Sequence, residues 1–258
     1  MRFLDSMFIA LAMYSKLPVP QVEWDKKSMA YALAFFPIVG ILCGSWLLIW
    51  CWLAEALNFG SFMRAVGALL GPLIITGGIH LDGFCDVTDA LSSWQTRERR
   101  LEILKDSHIG AFALIGASCY LLAYLAIWTE IETDINICYF IGQGYVLCRV
   151  LSGLSIVWLR CAKTSGLAAT FASAADKKGV TFFLLFWLAY VLVTIFYINW
   201  FWAVCGLLVA ALCFAYYRWL AYSKFGGING DLAGWFLQLL ELNWLLLVLL
   251  LQKLPQLI

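Results

Sequence analysis

Residues 31–54 read YALAFFPIVGILCGSWLLIWCWLA, a run of 24 positions without one charged side chain. A helix crosses the hydrocarbon core of a bilayer with about 20 mostly apolar residues, so this run is long enough to span. Working outward, six more stretches meet the same requirement, at approximately 62–80, 109–129, 136–159, 180–198, 201–219 and 234–251. Composition agrees: 64% of the 258 residues are hydrophobic and 13% charged, where a soluble domain carries about 25% charged residues. The expected fold is an all-α polytopic membrane protein, one integral-membrane domain over 1–258 with about seven transmembrane helices (six to eight, since the ends are soft). Only Asn199 and Trp200 separate the fifth and sixth stretches, which predicts a tight hairpin. Ahead of the first span, residues 1–20 mix Phe3, Leu4, Met7, Phe8, Leu11 and Tyr14 with Arg2, Asp5 and Lys16, then stop at Pro18 and Pro20. No small-residue cleavage site follows, so this segment reads as an N-terminal amphipathic helix at the membrane and not as a signal peptide.

Charge orients the chain. Cytoplasmic loops carry the Lys and Arg excess. With seven spans, one side receives Arg2, Lys16, Lys26, Lys27, Arg97, Arg99, Arg100, Lys105, Arg160, Lys163, Lys177, Lys178, Arg218 and Lys224, fourteen of the seventeen basic residues. The other side receives Arg64 and Lys253, and the loop after the third span is acidic, with Glu130, Glu132 and Asp134. The bias places the N-terminus and loops 81–108, 160–179 and 220–233 in the cytoplasm. A net charge of +1 and no basic tract interleaved with aromatics argue against a nucleic-acid partner. The nine cysteines form no C-x-x-C pair and read as small buried hydrophobes.

Chemistry gathers at residues 77–89, GGIHLDGFCDVTD, at the end of the second span. Asp82, Asp86 and Asp89 stand at i, i+4 and i+7, so a helix projects all three from one face. Like charges at that spacing repel. A divalent cation removes the penalty, and oxygen ligands without thiolates suit Mg²⁺ or Mn²⁺ better than zinc. One such aspartate is read most simply as a helix cap; three on one face, beside His80 and Gly83 at the membrane edge, favour a metal site that recruits phosphates.

Two further constellations lie on the same face of the membrane. Residues 97–110, RERRLEILKDSHIG, carry basic residues into the third span. Arg97, Arg99 and Arg100 read as a positive flank, but Lys105, Asp106 and Ser107 sit where the helix enters, and a Lys beside metal-bound carboxylates can hold phosphate oxygens. Residues 225–234, FGGINGDLAG, place Gly226, Gly227 and Gly230 ahead of the last span, where glycine admits close backbone approach and a helix N-terminus favours an anion. Asp231, Gly234, Gln238 and Glu241 fall within about 80° on that helix at 100° per residue. Glu241 lies roughly 10 Å deeper than Asp231 and is too costly to leave ionised against lipid. Arg149, within the fourth span, poses the matching problem: snorkelling to the interface is a long reach, and the preferred reading faces it into the bundle against an acid, Glu241 being one candidate.

These motifs resemble the cobalamin synthase family, the adenosylcobinamide-GDP ribazoletransferases of bacterial and archaeal membranes. The similarity runs nearly the whole length, through Lys16-Leu17-Pro18-Val19-Pro20, Phe36-Pro37-Ile38-Val39-Gly40, Thr76 to Gly83 with Asp86 and Asp89, Leu101-Glu102-Ile103 with Lys105-Asp106-Ser107 and Gly110, Arg149, and Gly226-Gly227 with Gly230-Asp231, Gly234 and Glu241. The chain departs from the family pattern at Ala90, Ala111, Ala113, Ala168 and Gln238, all small or near-isosteric changes that spare the aspartates. The resemblance implies that α-ribazole or its 5′-phosphate is joined to adenosylcobinamide-GDP, giving adenosylcobalamin or its 5′-phosphate and GMP. It implies Mg²⁺ on Asp82, Asp86 and Asp89, Lys105 on the leaving GMP, and Gly226, Gly227, Gly230 and Asp231, with Arg149 and Glu241, in substrate binding. A general base would be His80, Asp89 or Asp106. It also implies a multi-pass protein of the cytoplasmic (inner) membrane, with the bilayer as partner and room for a homo-oligomer or a complex with other cobalamin-assembly enzymes. Other Mg²⁺-dependent membrane transferases lack their Asp-Gly-x-x-Ala-Arg or Asn-Asp-x-x-Asp strings here. A transporter would use Arg149 and Glu241 as its site.

Overall fold

The computed structural model describes residues 3–106 and 108–254, as twelve α-helices with one π-helical turn. In order these are α1 (Phe3–Tyr14), α2 (Lys26–Met29), α3 (Ala32–Ala56), α4 (Ser61–Thr76), α5 (Ile79–Ser92), α6 (Arg97–Ile103), α7 (Ala111–Glu130), α8 (Ile135–Trp158), α9 (Leu167–Ala174), α10 (Lys177–Ile198), α11 (Trp200–Leu220), the π turn Ala221–Phe225 and α12 (Gly230–Lys253). Helices α3, α7, α8, α10, α11 and α12 are each long and apolar enough to cross a membrane, and α4 with α5 makes a seventh only as a pair bent by 93°. The polytopic all-α fold stands.

Helix starts follow local chemistry. Asp134 accepts from Ile137 N at 2.8 Å, Asp176 from Gly179 N at 3.2 Å, and Asn229 from Leu232 N at 2.8 Å, each satisfying an otherwise orphaned first-turn donor. Asn199 closes α10 and caps α11 through Phe201 N and Trp202 N, so the predicted hairpin turns on one residue.

The second span is where the structure corrects the sequence reading. A single helix was expected over 62–80; instead α4 stops at Thr76, and Gly77 (φ 64°) and Gly78 (φ 74°) are both left-handed. Two successive residues in that region cannot continue a right-handed helix and are tolerable because both are glycine. His80 therefore belongs to α5. The N-terminal segment is also shorter than expected: α1 ends at Tyr14, and Met1 and Arg2 lie outside the described residues. Its Ser6, Ile9 and Ala10 are buried, and it packs on α2 and α3, with Ser6 Oγ donating to Ser28 O.

Lipid tails are as apolar as leucine, so close backbone packing must hold the spans together. The most extensive pairing is α3 with α8. A methyl on Gly40 would lie 2.6 Å from Tyr145 O, so that glycine is required for the approach, and one on Gly44 would lie a tight 3.3 Å from Gly142 Cα. On the other side of α8, the buried Trp244 of α12 stacks on Phe140 at 4.9 Å and donates to its carbonyl at 3.1 Å, with Gly144 and Gly206 leaving room for the indole. These contacts place α8 and α12 side by side, and α12 carries α5 across its N-terminal end.

Candidate active site

Helices α5 and α12 meet backbone to backbone through reciprocal glycines. A methyl on Gly83 would stand 2.8 Å from Asp231 O, and one on Gly234 would stand 3.2 Å from His80 O. This contact brings the α5 carboxylates to Asp231. Partial burial first, then the negative charges of Asp82, Asp231 and Asp89, push the Asp86 carboxyl above its usual range. Among the described residues none of these four carboxylates is in an ion pair; Asp231 Oδ2 receives Asn229 Nδ2 at 3.2 Å. The surplus charge and all-oxygen donor set fit a hard divalent cation. No three His, Cys, Asp or Glu side chains among the described residues already stand as a metal cage. A cation there would need side-chain rotation or water ligands, which Mg²⁺ commonly keeps.

Asp89 is differently engaged. Its Oδ1 accepts from Ala113 N at 3.0 Å and its carboxylate rests on Gly110, so it holds the first turn of α7 against α5. A carboxylate at a helix N-terminus is stabilised by the dipole there. One of its oxygens is thereby committed.

Three cavities surround this contact. The first, about 240 Å³, is lined in part by Tyr14, Phe36, His80, Asp82, Ser152, Asp231 and Leu237. A second, about 230 Å³, shares Leu167, Ala168, Gly230 and Asp231 with it and adds Lys105 and Lys163. A third, about 480 Å³, opens at the helix break and is lined by Lys16, Gly77, Gly78 and Asp82. Lys163 donates to Leu101 O at 3.0 Å. Desolvation and the adjacent Lys105 lower its pKa, while Glu102 and Asp231 act oppositely. Sequence reading missed Lys163 as a site residue, because one Lys in a cytoplasmic-type loop looks like any positive flank; Ser152, an ordinary helix serine in sequence, was missed too.

Several expected residues fall elsewhere. Asp106 does not line these cavities; exposed, it bonds His108 Nδ1 at 2.7 Å and N at 3.0 Å, which lowers its pKa. Ser107 lies outside the described residues. Gly226 and Gly227 are buried and give close approach to the protein itself. Gly226 (φ 76°) lies under the Arg97 guanidinium, and a methyl on Gly227 would be 2.5 Å from Arg160 O. Ile228 N donates to Arg160 O at 2.9 Å and Ala162 N to Ile228 O at 2.8 Å, so the loop is stitched to 160–162 and only Gly230 of the three glycines faces the cavities. Arg149 and Glu241 pair as expected, Nη1 to Oε1 at 2.8 Å, with side chains 1% and 5% exposed. Arg149 Nη1 also donates to Tyr145 O at 2.8 Å. The pair lines none of these three cavities; with His80, Tyr120, Tyr124 and Gln238 it borders a separate small pocket of about 10 Å³, and Arg149 Nε has no hydrogen-bond partner among the described residues.

The model of the cobalamin-5-phosphate synthase family matches residues 6–250. The chain belongs to that family. Within it, an adenosylcobinamide-GDP ribazoletransferase of Lachnoclostridium phytofermentans is 43% identical over 94% of this chain and 92% of its own length. One from Clostridium perfringens is 32% identical over 95% of this chain and 98% of its own. Another, from Listeria monocytogenes, is 29% identical over 90% and 92%. No solved structure matches this cobalamin-5-phosphate synthase family member.

Proposed function

We propose that this protein joins adenosylcobinamide-GDP to α-ribazole or α-ribazole 5′-phosphate, releasing GMP, with Mg²⁺ seated among Asp82, Asp86 and Asp231. The observation that carries the reading is the backbone contact at Gly83 and Asp231, which sets unpaired carboxylates beside a cavity lined by Lys105 and Lys163. That is the combination a diphosphate substrate requires, since phosphoryl-type transfer depends mainly on positioning and charge neutralisation.

A ribose hydroxyl of the ribazole attacks the corrinoid-linked phosphorus. The bond from that phosphorus to the bridging oxygen breaks, and the oxygen leaves on GMP. Bound Mg²⁺ would neutralise diphosphate charge. Lys105 and Lys163 hold the phosphate oxygens of the leaving GMP. His80 lines the same cavity as Asp82 and Asp231, and its Nε2 has no protein partner among the described residues, so of the three candidate bases it is best placed to take the hydroxyl proton. Asp106 is turned to His108 and Asp89 caps α7. The transporter alternative is the less favoured reading, because Arg149 and Glu241 pair with each other.

The positive-residue bias supports a cytoplasmic-membrane location with the N-terminus and site in the cytoplasm, where nucleotide substrates are found. Purified protein in liposomes, given adenosylcobinamide-GDP, is expected to release GMP only when ribazole and Mg²⁺ are both present. Release independent of ribazole would defeat the reading.

A further inference from the structure

The cavity of about 240 Å³ between α1, α3, α5, α8, α9 and α12 has a wall unlike its neighbour's. Tyr14 and Phe36 give it an aromatic wall beside Ile156 and Leu237, where the adjoining cavity has no aromatic side chain and brings Lys105 and Lys163. Besides the Asp82 and Asp231 carboxylates, two buried polar side chains line it. Ser152, 1% exposed, and His80, 5% exposed, both line it, and neither Ser152 Oγ nor His80 Nε2 has a hydrogen-bond partner among the described residues. A buried polar atom without a partner costs about 1–3 kcal/mol. An aromatic and aliphatic wall with two unpartnered polar atoms suits a ligand that is mostly carbon and offers a polar atom or two to meet them.

Pockets for drug-sized ligands run about 300–1,000 Å³. This one falls below that range, too small for a corrin ring and suited to a bicyclic base. Resting on the ribazoletransferase reading, we propose that the cavity seats the benzimidazole-type base of the ribazole, with the Ser152 hydroxyl donating to the ring nitrogen that is not bonded to ribose. The aromatic wall of Tyr14 and Phe36 packs on the base, and the ribose extends toward Asp82 and Asp231 beside His80 Nε2. Asp231 lines both cavities, so the acceptor hydroxyl and the diphosphate meet there. Ser152 is thus a specificity-determining residue. A purine would bury additional ring nitrogens and an amino group against apolar side chains, a mismatch that sites of this kind reject strongly.

The test measures GMP release by the full-length protein in liposomes against ribazole concentration, and separately against adenosylcobinamide-GDP concentration. Wild type is compared with Ser152→Ala, Ser152→Thr and Ile156→Phe, the last enlarging a side chain that lines this cavity and not the adjoining one. Losing one neutral hydrogen bond corresponds to about a tenfold change. Ser152→Ala and Ile156→Phe are each expected to raise the KM for ribazole about tenfold while that for adenosylcobinamide-GDP stays within about twofold. Ser152→Ala should also narrow the preference for a benzimidazole over an adenine riboside, and Ser152→Thr, which keeps the hydroxyl, should retain it. Wild-type turnover with an unchanged ribazole KM and base preference in Ser152→Ala overturns the base seat alone. Wild-type protein that releases no GMP overturns the ribazoletransferase reading and the seat with it.

Discussion

Glu241 is a buried carboxylate and Asp86 a half-buried one, yet the first is answered and the second is not. Glu241 lies inside the bundle with Arg149 at 2.8 Å, and Arg149 in turn reaches Tyr145 O. Asp86 has Asp82, Asp89 and Asp231 for company and no cation among the described residues. The first pair is matched charge for charge and ties α8 to α12. The second is incomplete and is the place where a cation and phosphates have something to contribute. Buried charge alone does not mark an active site; charge left uncompensated at a cavity does.

The sharpest way to break this contrast is to remove one carboxylate from each cluster. Asp82→Asn is expected to lower kcat about a thousandfold at saturating Mg²⁺, on the scale of losing one charge-stabilising group from a preorganised site. Its thermal unfolding should be unchanged or raised, because a repulsion has gone. Near-normal turnover would refute the metal seat. Arg149→Leu should do the reverse, costing about 3 kcal/mol of stability by stranding Glu241. Adding Glu241→Leu should recover more than half, which a double-mutant cycle in detergent would measure; strictly additive losses would show the pair to be uncoupled.

Smaller effects refine the comparison. Gly83→Ala forces α5 away from Asp231 and is expected to cost about 1–3 kcal/mol, as overpacking does, with reduced kcat as the companion readout. Lys163→Ala should raise the KM for adenosylcobinamide-GDP about tenfold, the low end for a hydrogen bond to a charged group, and leave the ribazole KM in place. Asp106→Ala, at an exposed site outside the cavities, should change steady-state turnover less than about threefold. A large loss there would return Asp106 to the chemistry.

What the sequence revealed follows the same division. The spans were legible because apolar length is a strong signal, and the Arg149 to Glu241 pair was legible because neither charge can face lipid alone. The 93° break at Gly77 and Gly78 was not, since consecutive glycines after an apolar run also fit close packing, and only their left-handed φ values distinguish the two. Gly226 and Gly227 were misassigned for a related reason. A glycine announces that something comes near the backbone without saying whether it is a phosphate or, as here, the chain at Arg160. Lys163 and Ser152 carry no local pattern, and only the fold brings them to the carboxylates.

The reciprocal glycines at Gly83 and Gly234 have a consequence for how this enzyme can diversify. Two points of main-chain contact, one donated by each helix, fix the separation of α5 and α12 by covalent geometry, independent of any side chain nearby. Residues such as Ile156, Ala168 and Leu237 can then be exchanged in the apolar wall without moving the seat of the reaction. The acceptor can change while the chemistry stays registered, as a lathe accepts a new tool without moving its spindle.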